Sequence, residues 1–154
     1  MEDGPKIKIN PLKIFTFSLA FSFIIGEASN IYLSLNIIIN LVGLFLLFFF
    51  FIIFFISARM FFTYNEKLQP QTSTNKIIKT GIYSYTRNPI YLSFVGFQMS
   101  MFLSFGNIFY FVSSISLFFW IHFMVILREE KYLEKKFQDQ YVRYCANVPR
   151  WIIY

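Results

Sequence analysis

Two carboxylates follow directly on a long apolar run: Arg128-Glu129-Glu130 comes straight after residues 108–127. Acids at the end of a membrane helix are expensive to place, which makes them candidates for function. A second constellation, Arg87-Asn88-Pro89-Ile90-Tyr91, precedes another apolar run. Pro89 suits the first helical position, where its missing N–H costs nothing, and it biases Asn88 toward extended backbone. Asn88 then fits the N-cap, its side chain accepting a hydrogen bond from an early backbone N–H. A helix N-terminus beside Arg87 is a ready anion site, with Tyr91 in the first turn. The plainer use of Arg87 and Tyr91 is anchoring at a membrane interface. The tail, Asn147-Val148-Pro149-Arg150-Trp151, adds another arginine and an indole suited to the headgroup layer. Arg150 can line a pocket or simply bind lipid phosphate.

The elements that must position these groups follow from composition. The chain has 154 residues, of which 56% are hydrophobic and 14% charged, with 23 Phe. One domain, 1–154, fits that length. Long apolar runs separated by short polar stretches predict an all-α, polytopic membrane protein with about four transmembrane helices, over 12–28, 35–58, 89–103 and 108–127. The first run is short for a bilayer span of about 20 residues. Gly106-Asn107 marks a tight hairpin, which makes the last two spans antiparallel neighbours.

The 14 Lys and Arg lie before residue 14, between 59 and 87, or after 127. The loops near 27–34 and 104–107 contain none. Four spans put the basic regions on one side, and the positive-inside rule makes that side cytoplasmic, with both termini there. An inner membrane or an endoplasmic-reticulum-like membrane fits. The net charge of +6 then reads as topology and attraction to anionic lipid. Nucleic-acid binding is disfavoured, because the charges sit on no soluble basic module. Membrane lipids are the expected partners, and the sequence leaves the oligomeric state open.

Beyond Glu130 the sequence predicts a cytoplasmic amphipathic C-terminal helix. On a helical wheel Glu130 shares a face with Leu133, Glu134, Phe137, Tyr141 and Tyr144, while Lys131, Lys135, Asp139 and Arg143 lie opposite. Pairing of Glu with Lys at i,i+4 is the ordinary alternative for Glu134. His122 lies seven residues before Glu129, on the same face of a regular helix with a rise of about 10 Å between them. It could line a route for a substrate, or simply hydrogen-bond within the bundle. One His and one Cys145 support no metal site.

The order Lys79-Thr80-Gly81-Ile82-Tyr83, Arg87-Asn88-Pro89-Ile90-Tyr91, hydrophobic hairpin, Arg128-Glu129-Glu130, Tyr141-Val142-Arg143-Tyr144 and Val148-Pro149-Arg150-Trp151 resembles the isoprenylcysteine carboxyl methyltransferase and phospholipid N-methyltransferase superfamily. The resemblance spans about 75–151, and implies that this stretch is a catalytic core binding S-adenosylmethionine (SAM). It implies cofactor binding by Glu129, Glu130, Tyr83, Asn88, Pro89, Tyr141 and Tyr144, and catalytic roles for Arg87, Arg150 and Tyr91. The family has His and Gly where this chain has Asn88 and Ser93. Asn cannot titrate near neutrality, so only a positioning role carries over to Asn88.

Carboxylates at a low-dielectric boundary suit SAM's sulfonium and ammonium groups, and Glu130 is favoured ahead of Glu129 for that contact. The implied activity is SAM-dependent methylation of a lipid-like or prenylated acceptor, first of all the carboxyl group of an isoprenylcysteine-like substrate. A phospholipid amine is the alternative acceptor. A carboxylate acceptor would be oriented by Arg87 or Arg150, whereas an amine needs a base such as Glu129, Glu130 or His122. NADPH-dependent sterol-type reduction on a similar membrane architecture, or a membrane protein without cofactor, are the competing classes.

Overall fold

The computed structural model describes residues 4, 5 and 7–152; Lys6, counted among the basic N-terminal residues, lies outside them. Six helices organise the described residues: α1 (Pro11–Ser29), α2 (Ile37–Thr63), α3 (Pro89–Phe105), α4 (Ile108–Ile121), α5 (Leu127–Phe137) and α6 (Asp139–Asn147). The fold is all-α, as expected. The starts are written in the sequence. Asn10, Asn36 and Asn107 each turn a side-chain oxygen to a backbone N–H two residues on, at 2.9 Å in every case, capping α1, α2 and α4. Gly106 at φ 70° closes α3 in the left-handed conformation, so the turn to α4 takes a single further residue.

α1, α2 and the continuous stretch Ile108–Phe137 are long and apolar enough to cross a membrane, and α3 is a shorter apolar helix of 17 residues. Their outward faces are what lipid requires: Phe17, Phe21, Phe45 and Phe48 are all exposed. α2 extends past the expected end at residue 58 to Thr63, because nothing in Arg59-Met60-Phe61-Phe62 breaks a helix and Arg59 reaches solvent.

The fourth span differs more. Its helix does not stop at residue 127. A π turn at His122–Ile126 carries α4 directly into α5. Each π turn holds an extra residue, which rotates everything beyond it relative to a regular helix. The helix then breaks at Gln138, whose φ is 45°. A single amphipathic helix from Glu130 to Tyr144 is therefore not formed. α6 turns back so that Tyr141, Tyr144 and Val148 bury against Ile77, Leu133 and Phe137. Glu134, on the expected inner face, is exposed.

Small side chains and a buried polar network set the packing. A Cβ on Gly43 of α2 would stand 2.5 Å from the Ser104 backbone nitrogen of α3, and one on Gly96 of α3 would stand 2.4 Å from the Phe50 ring. Such close approach supplies van der Waals contact where lipid offers no hydrophobic gain. Gln98, fully buried, donates to Ser113 (2.7 Å) and Ser18 (3.1 Å), while Ser22 and Ser113 share a hydrogen bond of 2.6 Å. These bonds tie α1, α3 and α4 together at membrane depth.

The two ends of the bundle are unlike. At one end the short connections meet, with Leu33 N–H donating to Gly106 O at 2.8 Å. At the other, the N-terminal strap, the α2–α3 connection and the C-terminal helices converge on one cavity.

Candidate functional site

The cavity holds about 390 Å³ and is bounded by every basic region of the chain. α3 contributes Pro89 and Tyr91 to its wall, preceded by Arg87 and Asn88. α5 contributes Glu129 and Glu130, α6 contributes Tyr141 and Tyr144, and the 3-10 turn Gly81–Ser84 contributes Tyr83. Phe54, Phe61 and Phe94 form an apolar side. Of the residues given a catalytic, cofactor-binding or base role from the sequence, only Arg150 and His122 stand off the wall.

Arg150 reaches the site through Glu130. Its Nε (3.0 and 3.1 Å) and Nη2 (2.6 Å) form a fork on the Glu130 carboxylate. That contact pushes the Arg150 guanidinium's pKa further up. Arg87 Nη2 approaches the same carboxylate at 3.3 Å, so one acid holds two cations. The Arg87 Nη1 also donates to Cys145 Sγ, while its Nε is buried with no partner among the described residues. The clamp as a whole carries one net positive charge.

Glu129 is in a different state. Tyr91 OH donates to its Oε1 at 2.9 Å, and among the described residues no cation pairs with it. Two adjacent acids thus acquire opposite surroundings, one neutralised and one not. The expected preference for Glu130 as the acid facing a cationic ligand meets a Glu130 already held by two arginines, while Glu129, also on the cavity wall, has neither.

The tyrosines act as donors and walls. Burial pushes the Tyr83, Tyr141 and Tyr144 phenols above their ordinary range, so each keeps its proton. Tyr144 OH donates to Tyr83 O at 2.7 Å, fastening α6 to the 3-10 turn.

Asn88 occupies the cap position of α3 but makes no side-chain cap bond. Its Nδ2 donates instead to Arg150 O at 2.9 Å. The cause is the tail, which crosses this helix start: Arg87 N–H donates to Pro149 O (3.0 Å) and Thr86 Oγ1 to Arg150 O (3.3 Å). The capping expectation is corrected to a tether. Because Nδ2 is a donor and an ionised carboxylate has none, Asn88→Asp should lose the tether as fully as Asn88→Ala. The cost expected is about 1 kcal/mol for one hydrogen bond, read as a drop in melting temperature in detergent. Full stability in Asn88→Asp alone would restore the cap.

His122 does not share a face with Glu129, since the π turn lies between them. Its Nδ1 accepts from Trp151 Nε1 at 3.2 Å, and the indole packs on Phe118 at 4.9 Å between ring centres. Trp151 therefore fastens the tail to the bundle as well as sitting near its edge.

Several wall residues escaped sequence reasoning. Pro5, Asn10 and Leu12 bring the N-terminal strap to the cavity, and Lys67, Lys76 and Ile78 bring the α2–α3 connection. No motif marks them, because irregular backbone carries no periodicity.

No relative among curated proteins matches the chain. The phospholipid methyltransferase family model matches residues 35–140, well over half the sequence, from the start of α2 to the start of α6. That stretch contains Arg87, Tyr91, Glu129 and Glu130, and with the apolar helices around it, it makes this chain a member of the phospholipid methyltransferase family of integral membrane methyltransferases.

Proposed function

We propose that this protein transfers a methyl group from SAM to the amine of a phospholipid-like acceptor, at the cavity beneath α5 and α6. The observation that carries the reading is Glu129: a carboxylate on the cavity wall, held by Tyr91, with no cation of the described residues to neutralise it. SAM, when bound, supplies a methyl group on a sulfonium. The fit to that cofactor rests on two unmet demands in the wall. Glu129 lacks a positive partner, and the buried Arg87 Nε, in a clamp of net positive charge, lacks an acceptor. A molecule with cationic and carboxylate ends answers both.

Glu129 has a second use with an amine acceptor. An ammonium has no lone pair, so its proton must leave before nitrogen can attack, and Glu129 is the carboxylate placed to take it. Tyr91 fixes the orientation of that carboxylate. Glu130 is unsuited to the same task, since two guanidiniums already occupy its oxygens. The Phe54, Phe61 and Phe94 side receives the acceptor's apolar part. Both termini and the α2–α3 connection lie on the cytoplasmic side in this reading, where a soluble cofactor is available.

One observation favours a carboxylate acceptor such as an isoprenylcysteine: the unpartnered Arg87 Nε could orient it. The experiment separates the two. Protein in nanodiscs is given tritiated SAM and either amine-headgroup phospholipids or a prenylated cysteine. Label in the headgroup amine is expected. Base-labile methyl ester on the cysteine, with none on the amine, would move the reading to carboxyl methylation. Absence of label from both would remove it.

A further inference from the structure

The α2–α3 connection is pinned more firmly than an irregular loop needs to be. Glu66, 8% exposed, accepts from Asn75 N–H at 3.1 Å and from Thr74 Oγ1 at 2.9 Å. Thr74 Oγ1 also lies 3.1 Å from Lys76 O. Ser73 Oγ is held from α5, by Tyr132 OH and by Lys136 Nζ, at 2.9 Å each. The Glu66–Asn75 contact closes the loop at its base. Lys67 follows Glu66 just inside the closed loop and Lys76 follows Asn75 just outside it, so the clip fixes the backbone next to each.

Both lysines are exposed at their tips and both line the cavity. Neither has an acceptor among the described residues. The charges facing the cavity therefore separate. Arg87 and Arg150 share Glu130 with one positive charge to spare, Glu129 is an acid on the helical wall with no described cation beside it, and Lys67 with Lys76 leaves a positive pair on the loop. A ligand that is cationic at one end and anionic nearby fits this polarity.

We propose that Lys67 and Lys76, both on the cavity wall and each adjoining the Glu66–Asn75 clip, form an anion subsite that holds the acceptor's phosphate while its amine faces Glu129. The inference rests on the amine-acceptor reading above and names what would select a phospholipid over other lipid amines. A phosphate diester suits two ammonium groups on flexible stems, each a compact donor that needs no planar geometry. The same chemistry would suit the carboxylate of the cofactor, so the test must distinguish the two sources.

The test compares wild type with Lys67→Gln/Lys76→Gln, whose exposed side chains leave the loop bonds intact. Initial rates are measured with phosphatidylethanolamine and with octadecylamine, which has the amine but no phosphate. The double variant should raise KM for phosphatidylethanolamine about tenfold to a hundredfold, as expected for lost charged contacts. KM for octadecylamine and SAM affinity by calorimetry should not change, and Lys67→Arg/Lys76→Arg should restore the phospholipid KM. High salt should weaken the wild type toward the variant, since an exposed site is screened. An unchanged phospholipid KM, or an equal rise for both acceptors, overturns the subsite. Lost SAM affinity assigns the lysines to the cofactor and overturns it too.

Should the wild type methylate neither lipid, the amine-acceptor reading fails and binding decides the subsite. Calorimetry with dihexanoylphosphatidylethanolamine then supports it if the double variant alone loses binding, and overturns it if both proteins bind equally or neither binds.

Discussion

Glu129→Gln should lower the turnover number for an amine acceptor by a hundredfold or more, within the roughly 10²–10⁴ that a positioned base contributes. Gln matches Glu in shape, and its carbonyl can still accept from Tyr91 OH, now 2.9 Å from the carboxylate. The fold should therefore survive, with melting temperature close to wild type. Removing a carboxylate that no described cation neutralises leaves no guanidinium or ammonium stranded. Tyr91→Phe tests the same arrangement more gently. It deletes one hydrogen bond to a charged group, worth roughly 1.5–3 kcal/mol, and should slow the reaction about tenfold or somewhat more. The split between constants assigns the role. A fall in turnover together with weaker SAM binding is expected if Glu129 serves both uses. A fall in turnover at unchanged SAM affinity makes it the proton acceptor alone. A rise in KM for SAM with turnover preserved would make it a cofactor contact only. Full activity of Glu129→Gln removes it from the site.

The difference between Glu129 and Glu130 was not visible in the sequence. The two acids are adjacent, so a helical wheel separates them by about 100° and predicts which faces inward only if the helix is regular. Both acids in fact reach the cavity wall, and what separates them is the pair of arginines on Glu130 alone, brought from distant parts of the chain. The π turn at His122–Ile126 cancels the inferred alignment of His122 with Glu129. Past the acids, Gln138 with its positive φ ends the wheel altogether. The apolar helices and the turn between α3 and α4 were legible because each depends on near neighbours: apolar runs, Pro89 at a helix start, Gly106-Asn107 at a turn. The motif residues were legible as a set, and nearly all converge on one cavity. What each does there depends on partners distant in sequence. Asn88 looked like a cap because nothing nearby reveals that the tail, 62 residues on, would claim its amide. The Glu66 clip was hidden for a similar reason. Its partners Thr74 and Asn75 lie across an irregular loop, where no period links them.

Glu130→Gln should cost the protein stability as well as function, and this separates a clamp from a simple ligand. From sequence, this substitution is expected to weaken SAM binding about ten- to a hundredfold in a protein that stays folded. The structure adds a larger demand. Glu130 accepts the Arg150 fork and approaches Arg87, whose side chain is only 12% exposed. Without the charge, Arg87 remains buried beside a neutral amide, and breaking such a pair costs roughly 3–5 kcal/mol. The low end, about 3 kcal/mol, is expected because the Arg150 side chain, 35% exposed, can turn to water. For a chain of this size that corresponds to a fall of roughly 6–12 °C in melting temperature. Arg150→Gln should cost less, since it removes the more exposed cation and leaves Glu130 with Arg87. In the double variant, Glu130→Gln with Arg150→Gln, the two losses should not add, because both delete the same fork. The tail should loosen in each case, although Asn88 and Thr86 still hold the Arg150 carbonyl. Hydrogen exchange would register this as faster exchange in α6 and the tail than in α3. If Glu130→Gln instead melts with wild type and loses only SAM affinity, Glu130 is a cofactor ligand first. The arginines would then be its neighbours, not the anchors of the C-terminal helices.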